Sequence, residues 1–346
     1  MYRQGNRRFR PDRRTVLAGG AALATTALVA ACGGEPAPMD DQGRVRLRFS
    51  TDDRARAEHG GFYQALASGL YERRGLNVQI LQGGLGANVP QRLASGSVEL
   101  GLADSSFTAL DLAAEGAPVR AVAAFFQKDP QALIAHPDPE LTEIAELADR
   151  LFQLTPQSVA RLWPWLKARY GFRDDQLADR TDDLAPFLAD DQAVRDGWLT
   201  TEPSAVAEAG DFQPRVLLPA DEGYPAYGCL VLSPNGFARD NAEALRGFIA
   251  ASAEGWRDYI RGDPARADAL IRRDNPEMTQ AELDQARQAL IDNGVVDGGD
   301  AALYGLGAMT EARWSALFEI VAETGAYPGN LDWRDAFTAA YLPGRG

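Results

Sequence analysis

The amino-acid sequence predicts an α/β protein built from alternating strands and helices, and therefore a mostly parallel sheet. Three neighbouring segments set that expectation. "VRLRFST" alternates with period two and puts Val45, Leu47 and Phe49 on one face, as a half-buried strand does. "AEHGGFYQALASGLYERRGL" follows with Phe62, Leu66 and Leu70 at helical spacing and closes on Arg73-Arg74-Gly75, a basic last turn ahead of a C-terminal glycine. "LNVQILQGG" then returns to strand.

The alternation continues with a short helix over 87–94, a strand in "VELGLAD" and a helix from Ser105 to Ala114. "VRAVAAFFQ" and "QALIAHPD" read as two further strands. A second set begins near Pro139: "PELTEIAELADRL" as helix, "FQLT" as a short strand, and "PQSVARLWPWLKARYG" as a helix with proline near its start. "PFLADDQAVRDGWLTTEPSAVAEAG" gives a helix, a strand-like turn and another helix, and "PRVLLPADEGYPAYGCLVLSP" gives strands around a Gly/Pro/Tyr-rich bend. Beyond Asn235 the chain reads as almost wholly helical.

The first residues read as an export leader rather than as part of the fold. Arginines, including the Arg13-Arg14 pair, precede "TVLAGGAALATTALVAAC", a basic segment followed by an apolar stretch and small residues. Gly19, Gly20, Thr25 and Thr26 interrupt that stretch, which is marginal as a mature membrane span. The arginine pair resembles the twin-arginine type, the general export route being the alternative, since two arginines in a basic segment also occur by chance. "LVAACGG" resembles a lipoprotein signal in which Cys32 is lipidated and becomes the new N-terminus; the other reading is ordinary cleavage that leaves a plain cysteine. Residues 1–31 are thus expected to be a signal peptide and 32–43 a linker. Acyl chains hold a protein on a membrane because each buried methylene contributes about 0.8 kcal/mol.

Composition excludes several classes. Six arginines and one aspartate precede Cys32, so the whole-chain charge of −14 leaves about −19 beyond it, which argues against nucleic acid and anionic lipid as partners. Cys229 is the other cysteine, so no internal disulfide is expected if Cys32 carries lipid. Two histidines without metal-ligand spacing predict no metal site. No Gly-x-Ser-x-Gly elbow surrounds Ser106, and "QGGLGAN" lacks the lysine and spacing of a phosphate loop. No cofactor and no catalysis are expected.

In βα units, ligands gather where strand ends meet helix starts. That places candidate contacts at His59, at Gly83 and Gly84, and at Asp104, Ser105 and Ser106. Each has a plainer reading: a helix-start residue, a tight turn, a helix cap. Aromatic candidates are Tyr63, Phe126, Trp163, Trp198, Tyr224 and Tyr227, which serve either as core or as walls against a flat ring. Glu202 is placed to accept paired hydrogen bonds from an amino-heterocycle, or simply favours a helix N-terminus.

With those residues in view, 47–341 resembles the solute-binding proteins of ABC importers, in the branch joining sulfonate and nitrate binders to the thiamine-pyrimidine (NMT1/THI5-like) family. The segments that carry it are "EHGGFYQALASGLYERRGLNVQI", "QRLASGSVELGLADSS", "GAPVRAVAAFFQKDPQAL", "WPWLKARYGF" and "DEGYPAYG". The resemblance implies a two-lobed periplasmic-binding-protein fold of type II, each lobe a mixed β-sheet flanked by helices, with domain I at 44–136 and 235–342 and domain II at 137–234. It implies a small-molecule ligand in the interlobe cleft, an ABC permease and ATPase as partners, a monomer, and an extracytoplasmic location anchored through Cys32. His59, Tyr63 and Glu202 match the pyrimidine branch by motif, whereas Asp52-Asp53 stand where that branch often has a tryptophan. An enzyme branch makes the thiamine pyrimidine from its own histidine and pyridoxal phosphate, and needs a lysine about one turn before it. Here that residue is Ala55, and the only lysines are Lys128 and Lys167. The expected ligand is a thiamine-precursor pyrimidine or similar heterocycle; riboflavin-like flavins, or sulfonate and nitrate anions held by Arg161, are the alternatives. A lipoprotein that senses or binds at the envelope without transport is the alternative of another class.

Overall fold

The computed structural model describes residues 37–84, 86–323 and 325–344; Arg13, Arg14 and Cys32 lie outside the described residues. Ten strands form two sheets. They are β1 (Val45–Ser50), β2 (Leu76–Leu81), β3 (Leu100–Ser105), β4 (Val119–Phe126), β5 (Gln131–Ala135), β6 (Leu151–Gln153), β7 (Leu177–Ala178), β8 (Ala193–Trp198), β9 (Arg215–Leu217) and β10 (Gly228–Pro234). The first sheet runs β2-β1-β3-β10-β4 and the second β7-β6-β8-β5-β9. Both are mixed. β1 pairs parallel with β2 and β3 while β10 lies antiparallel to β3 and β4. In the second sheet β6 pairs parallel with β7 and β8, and β5 lies antiparallel to β8 and β9. One antiparallel strand thus occupies the same place in each.

β5 falls within the expected 44–136 segment yet hydrogen-bonds in the second sheet, and β10 falls within 137–234 yet completes the first. A lobe division that follows strand pairing therefore passes through 127–130 and 218–227. Charge patterning alone cannot show this, because both strands are apolar and fit either sheet. The two crossing segments are tied together where Lys128 Nζ meets Asp221 Oδ1 at 2.5 Å.

Helices α1 (Gly60–Ala67), α2 (Val89–Ala94) and α3 (Ser106–Ala114) belong to the first sheet's connections. α4 (Pro156–Arg161), α5 (Trp163–Tyr170), α6 (Ala185–Leu188) and α7 (Glu202–Gly210) belong to the second's. The C-terminal part is helical, as its periodicity predicts: α8 (Asn235–Asp240), α9 (Ala242–Arg261), α10 (Ala265–Asp274), α11 (Gln280–Asp292), α12 (Gly299–Tyr304) and α13 (Glu311–Ala322).

Three segments differ from expectation for local reasons. The 57–75 tract is a 3-10 turn at Ala57–His59, then α1, then a 3-10 turn at Glu72–Arg74; Gly69, at φ 66°, interrupts it before Gly75 closes it at φ 71°. "PELTEIAELADRL" forms only a 3-10 turn at Ile144–Leu147, since the Glu146 carboxylate takes the Thr142 and Glu143 N–H groups and stops propagation. "PQSVARLWPWLKARYG" is two helices meeting at Leu162, because Pro164 has no N–H to continue the first.

Gly60-Gly61 are dictated by packing. A Cβ on Gly61 would lie 2.1 Å from the Trp256 ring and one on Gly60 2.1 Å from Tyr259, while one on Gly255 would lie 2.2 Å from Gly61 O. Small residues thus let α1 and α9 cross in contact, over a buried cluster of Phe49, Phe62, Phe125, Phe248 and Trp256. Gly255→Ala meets backbone, which cannot rotate away, and is expected to destabilise the fold by about 3 kcal/mol or more, read as a lowered midpoint in chemical denaturation.

Candidate functional site

Parallel strands end where helices begin, and four of those ends face one another across the molecule. β1 delivers Asp52, Asp53, Arg56 and His59, and β3 delivers Asp104 and Ser105. From the other sheet β6 delivers Thr155 and Ser158, and β8 delivers Asp196, Trp198 and Glu202. Between them lie two adjoining cavities. The larger, about 320 Å³, has a partly apolar wall of Leu102, Phe126, Pro130, Trp198 and Cys229, with Asp52, Glu58 and His59 opposite. The smaller, about 180 Å³, is polar and includes Gln131, Thr155, Gln157, Ser158 and Arg161. Asp104 and Trp198 border both. Trp198 is 40% exposed, which is unusual for its size.

His59 is 2% exposed and engaged on both nitrogens. Nε2 lies 2.9 Å from Asp52 Oδ1, and Nδ1 accepts the Arg56 N–H at 3.3 Å. A ring that accepts at Nδ1 carries its proton at Nε2, aimed at Asp52. Burial pushes the Asp52 carboxyl up, but the hydrogen bond from His59, with the Arg56 charge, outweighs it and holds it below the usual carboxylate value. Asp52 therefore orients the histidine. Cys229, at φ 49°, borders the same cavity. Burial, with the Asp52 and Glu58 charges, keeps its thiol well above the usual pKa, so it is an uncharged wall and not a nucleophile.

The polar cavity rests on a buried ion network. Asp196 Oδ2 accepts the Thr155 N–H at 3.0 Å and hydroxyls from Thr155 and Ser158, while Oδ1 takes Arg180 Nε at 2.8 Å. Glu202 Oε1 accepts from Arg195 Nε and from Arg180 Nη2 at 3.3 Å. Glu202 also packs its stem over Gly197, where a Cβ would lie 2.4 Å away. Contacts bridge the lobes: Thr200 Oγ1 donates to Glu58, and Arg161 Nη2 donates to Asp111 at 3.3 Å with its guanidinium 5.2 Å above Phe107.

Of the residues singled out from the sequence, His59, Asp104, Ser105, Phe126, Trp198 and Glu202 come together on the cavity walls. The others lie apart from them. Tyr63 is buried and donates to Asp274 Oδ2 at 3.0 Å. Gly83 packs on the Thr51-Asp52 backbone, and Gly84 takes φ 114° in the following turn. Ser106 Oγ accepts the Tyr227 N–H at 2.9 Å. Trp163 packs edge-on to Phe152 and donates to Asp174. Tyr224 lies against Trp165 and donates to Arg161 O, and Tyr227 donates to Asp300 beneath Arg313. Asp129, Gln131, Arg180 and Asp196 were not singled out. "AVRDGW" did carry a signal, since Arg195-Asp196 interrupt an otherwise apolar strand and buried charges must be paired.

Among the described residues no group of three or more His, Cys, Asp or Glu is placed to hold a metal. The position one turn before His59 is Ala55, fully buried, and Lys128 is engaged elsewhere with Asp221 and Asn293 O. A family profile described as "NMT1/THI5 like" matches residues 56–267, more than half of the chain and most of both cavity walls. The chain belongs to the NMT1/THI5-like family. Its fold is the two-lobed periplasmic-binding-protein fold of type II. This NMT1/THI5-like chain is 26% identical over 291 residues to the riboflavin-binding protein RibY of Chloroflexus aurantiacus, covering 82% of each. In fold it is similar to the periplasmic aliphatic sulphonate-binding protein SsuA of Escherichia coli, with TM-score 0.62 at 15% identity over 85% of this chain and 92% of that one. The alkanesulfonate-binding SsuA of Xanthomonas axonopodis pv. citri, bound to MOPS, matches at TM-score 0.55 and 14% identity over 86% and 97%.

Proposed function

We propose that this chain is the ligand-capturing subunit of an ABC importer and that its ligand is a riboflavin-like flavin. The observation that carries the reading is the two-compartment cleft joined at Trp198. One compartment offers a half-apolar slot for a flat ring, and the other offers carboxylates, amides and hydroxyls for a polyhydroxyl chain. A flavin is a tricyclic ring joined to such a chain. Similarity to a riboflavin-binding protein supports the same choice. His59, Asp104, Ser105, Phe126, Trp198 and Glu202 are the contacts we assign.

Charge opposes an anionic ligand. Besides Asp129, six carboxylates border the two cavities: Asp52, Asp53, Glu58, Asp104, Asp196 and Glu202. The arginines beside them are committed, Arg56 to Asp53, Arg161 to Asp111 and Asp104, and Arg180 to Asp196 and Glu202. A sulfonate here would meet repulsion from these carboxylates, and Arg161, whose Nη1 makes no hydrogen bond, is the cation at the polar cavity left to offset it. A thiamine-precursor pyrimidine is the second reading, favoured by the family match; it is smaller and fills one compartment.

In this function the chain is exported, anchored through Cys32 on the outer face of the cytoplasmic membrane or in the periplasm, monomeric, and closes on its ligand before meeting permease and ATPase. A thermal-shift panel of the form lacking residues 1–32 tests the ligand. A compound at a hundred times its dissociation constant stabilises by about 2.7 kcal/mol. Riboflavin is expected to raise the midpoint, with the pyrimidine smaller in effect. A rise with sulfonates or nitrate alone overturns the proposal.

A further inference from the structure

The carboxylates of the cleft are of two kinds. Asp196 and Glu202 are ion-paired, and Asp104 lies 3.4 Å from Gln157 Nε2 and 3.9 Å from Arg161 Nη1. Asp129 differs. It sits in the first crossing segment, 4% exposed, and borders the polar cavity. Its Oδ1 accepts the Gln131 N–H at 2.9 Å, and among the described residues no cation forms an ion pair with it. The charged and titratable groups around it are Asp104 from β3, Arg161 from α4, Arg313 from α13 and Tyr224 from the second crossing. Across the cavity stand Arg180, Asp196 and Glu202.

We propose that Asp129 meets the ligand as a neutral carboxylic acid, donating from Oδ2 to an acceptor edge such as a ring carbonyl or imine nitrogen. This rests on the reading of the cleft as a heterocycle site and adds a selection rule to it. Rings that present only donors toward Asp129 are refused.

The geometry decides which oxygen holds the proton. Oδ1 is occupied as acceptor from Gln131, so the hydroxyl lies on Oδ2. A buried carboxyl without a cation neutralises rather than stay charged. Burial pushes Asp129 up to about 7; the Gln131 N–H holds it back, Asp104 adds to the rise, and Arg161 and Arg313 oppose it. Below that value the donor is in place. Above it, binding must take up one proton from solvent, so affinity falls as pH rises.

The larger cavity is also lined by ionisable side chains, so the slope alone does not assign the group. Asp129→Asn does. Its amide oxygen accepts the Gln131 N–H and its NH2 donates to the ligand, with no proton to lose. Dissociation constants are measured by calorimetry for riboflavin and for the aminopyrimidine precursor of thiamine at pH 6 and pH 8.5. The parent is expected to bind about 30-fold more weakly at the higher pH, the ratio a group titrating near 7 imposes. Asp129→Asn is expected to stay within about threefold of the parent's pH 6 value at both. Equal parent affinities at the two pH values, or a variant that keeps the parent's slope, overturn the proposal.

A ligand-free arm separates this from the functional reading. Because the folded carboxyl titrates above its unfolded value, the parent should lose stability relative to Asp129→Asn between about pH 4 and pH 7, then level off. Parallel midpoint curves overturn the neutral-acid assignment. Failure of both compounds to bind at pH 6 sinks the heterocycle reading and the proposed contact with it, while the ligand-free curves still report whether Asp129 holds its proton.

Discussion

Trp198→Ala is expected to weaken the proposed flavin binding by about five- to 150-fold, the loss of about 1–3 kcal/mol that a base-sized ring gains by stacking on an aromatic face. Among the described residues Trp198 is the one large aromatic bordering both cavities, and it is 40% exposed, so little core packing is lost with it. The fold should therefore keep its thermal midpoint while the dissociation constant rises. Trp198→Phe should recover most of the loss. Titration calorimetry with riboflavin reads both variants, and unchanged affinity in Trp198→Ala would move the ring out of this slot.

Asp196→Ala is expected to cost about 3 kcal/mol of stability, because it leaves the Arg180 guanidinium with Glu202 as its remaining anion. Arg180 is 9% exposed in its side chain and Asp196 3%, so the lost partner is replaced only from the cavity side. The same carboxylate holds the Thr155 N–H and two hydroxyls at the start of α4. Its removal should therefore loosen the lower wall of the polar cavity as well. The thermal midpoint is expected to fall by on the order of 10 °C, with Asp196→Asn intermediate since it retains the hydrogen bonds and loses the charge. A midpoint unchanged in Asp196→Ala would show the network to be ornamental.

Periodicity made most elements legible. Strands such as β1 and β4 and helices such as α9 and α11 announce themselves by apolar spacing, and "EHGG…RRGL" carried the family. What stayed hidden is which side of each element faces the cleft. Trp163, Tyr224 and Tyr227 have the same composition as Trp198, but only tertiary packing distinguishes an aromatic sealed under Phe152 or Trp165 from one left open. His59 illustrates the converse. Its place at the helix start is legible, whereas its commitment to Asp52 depends on a loop whose path the sequence does not specify. Asp129 was missed because one acid before a proline is a common turn signature; its solitude is visible only once its neighbours are in place.

The two crossing segments have a mechanical meaning beyond connectivity. Asp129 and Pro130 on one, and Cys229 just after the other, are also cavity wall, and Lys128–Asp221 fastens the pair side by side. The chain that joins the two sheets is thereby part of the cavity and not remote from it. On the proposed function, a ligand seated against these joints would set the angle between the sheets, so molecules differing by a few atoms at this end are expected to leave differently shaped complexes.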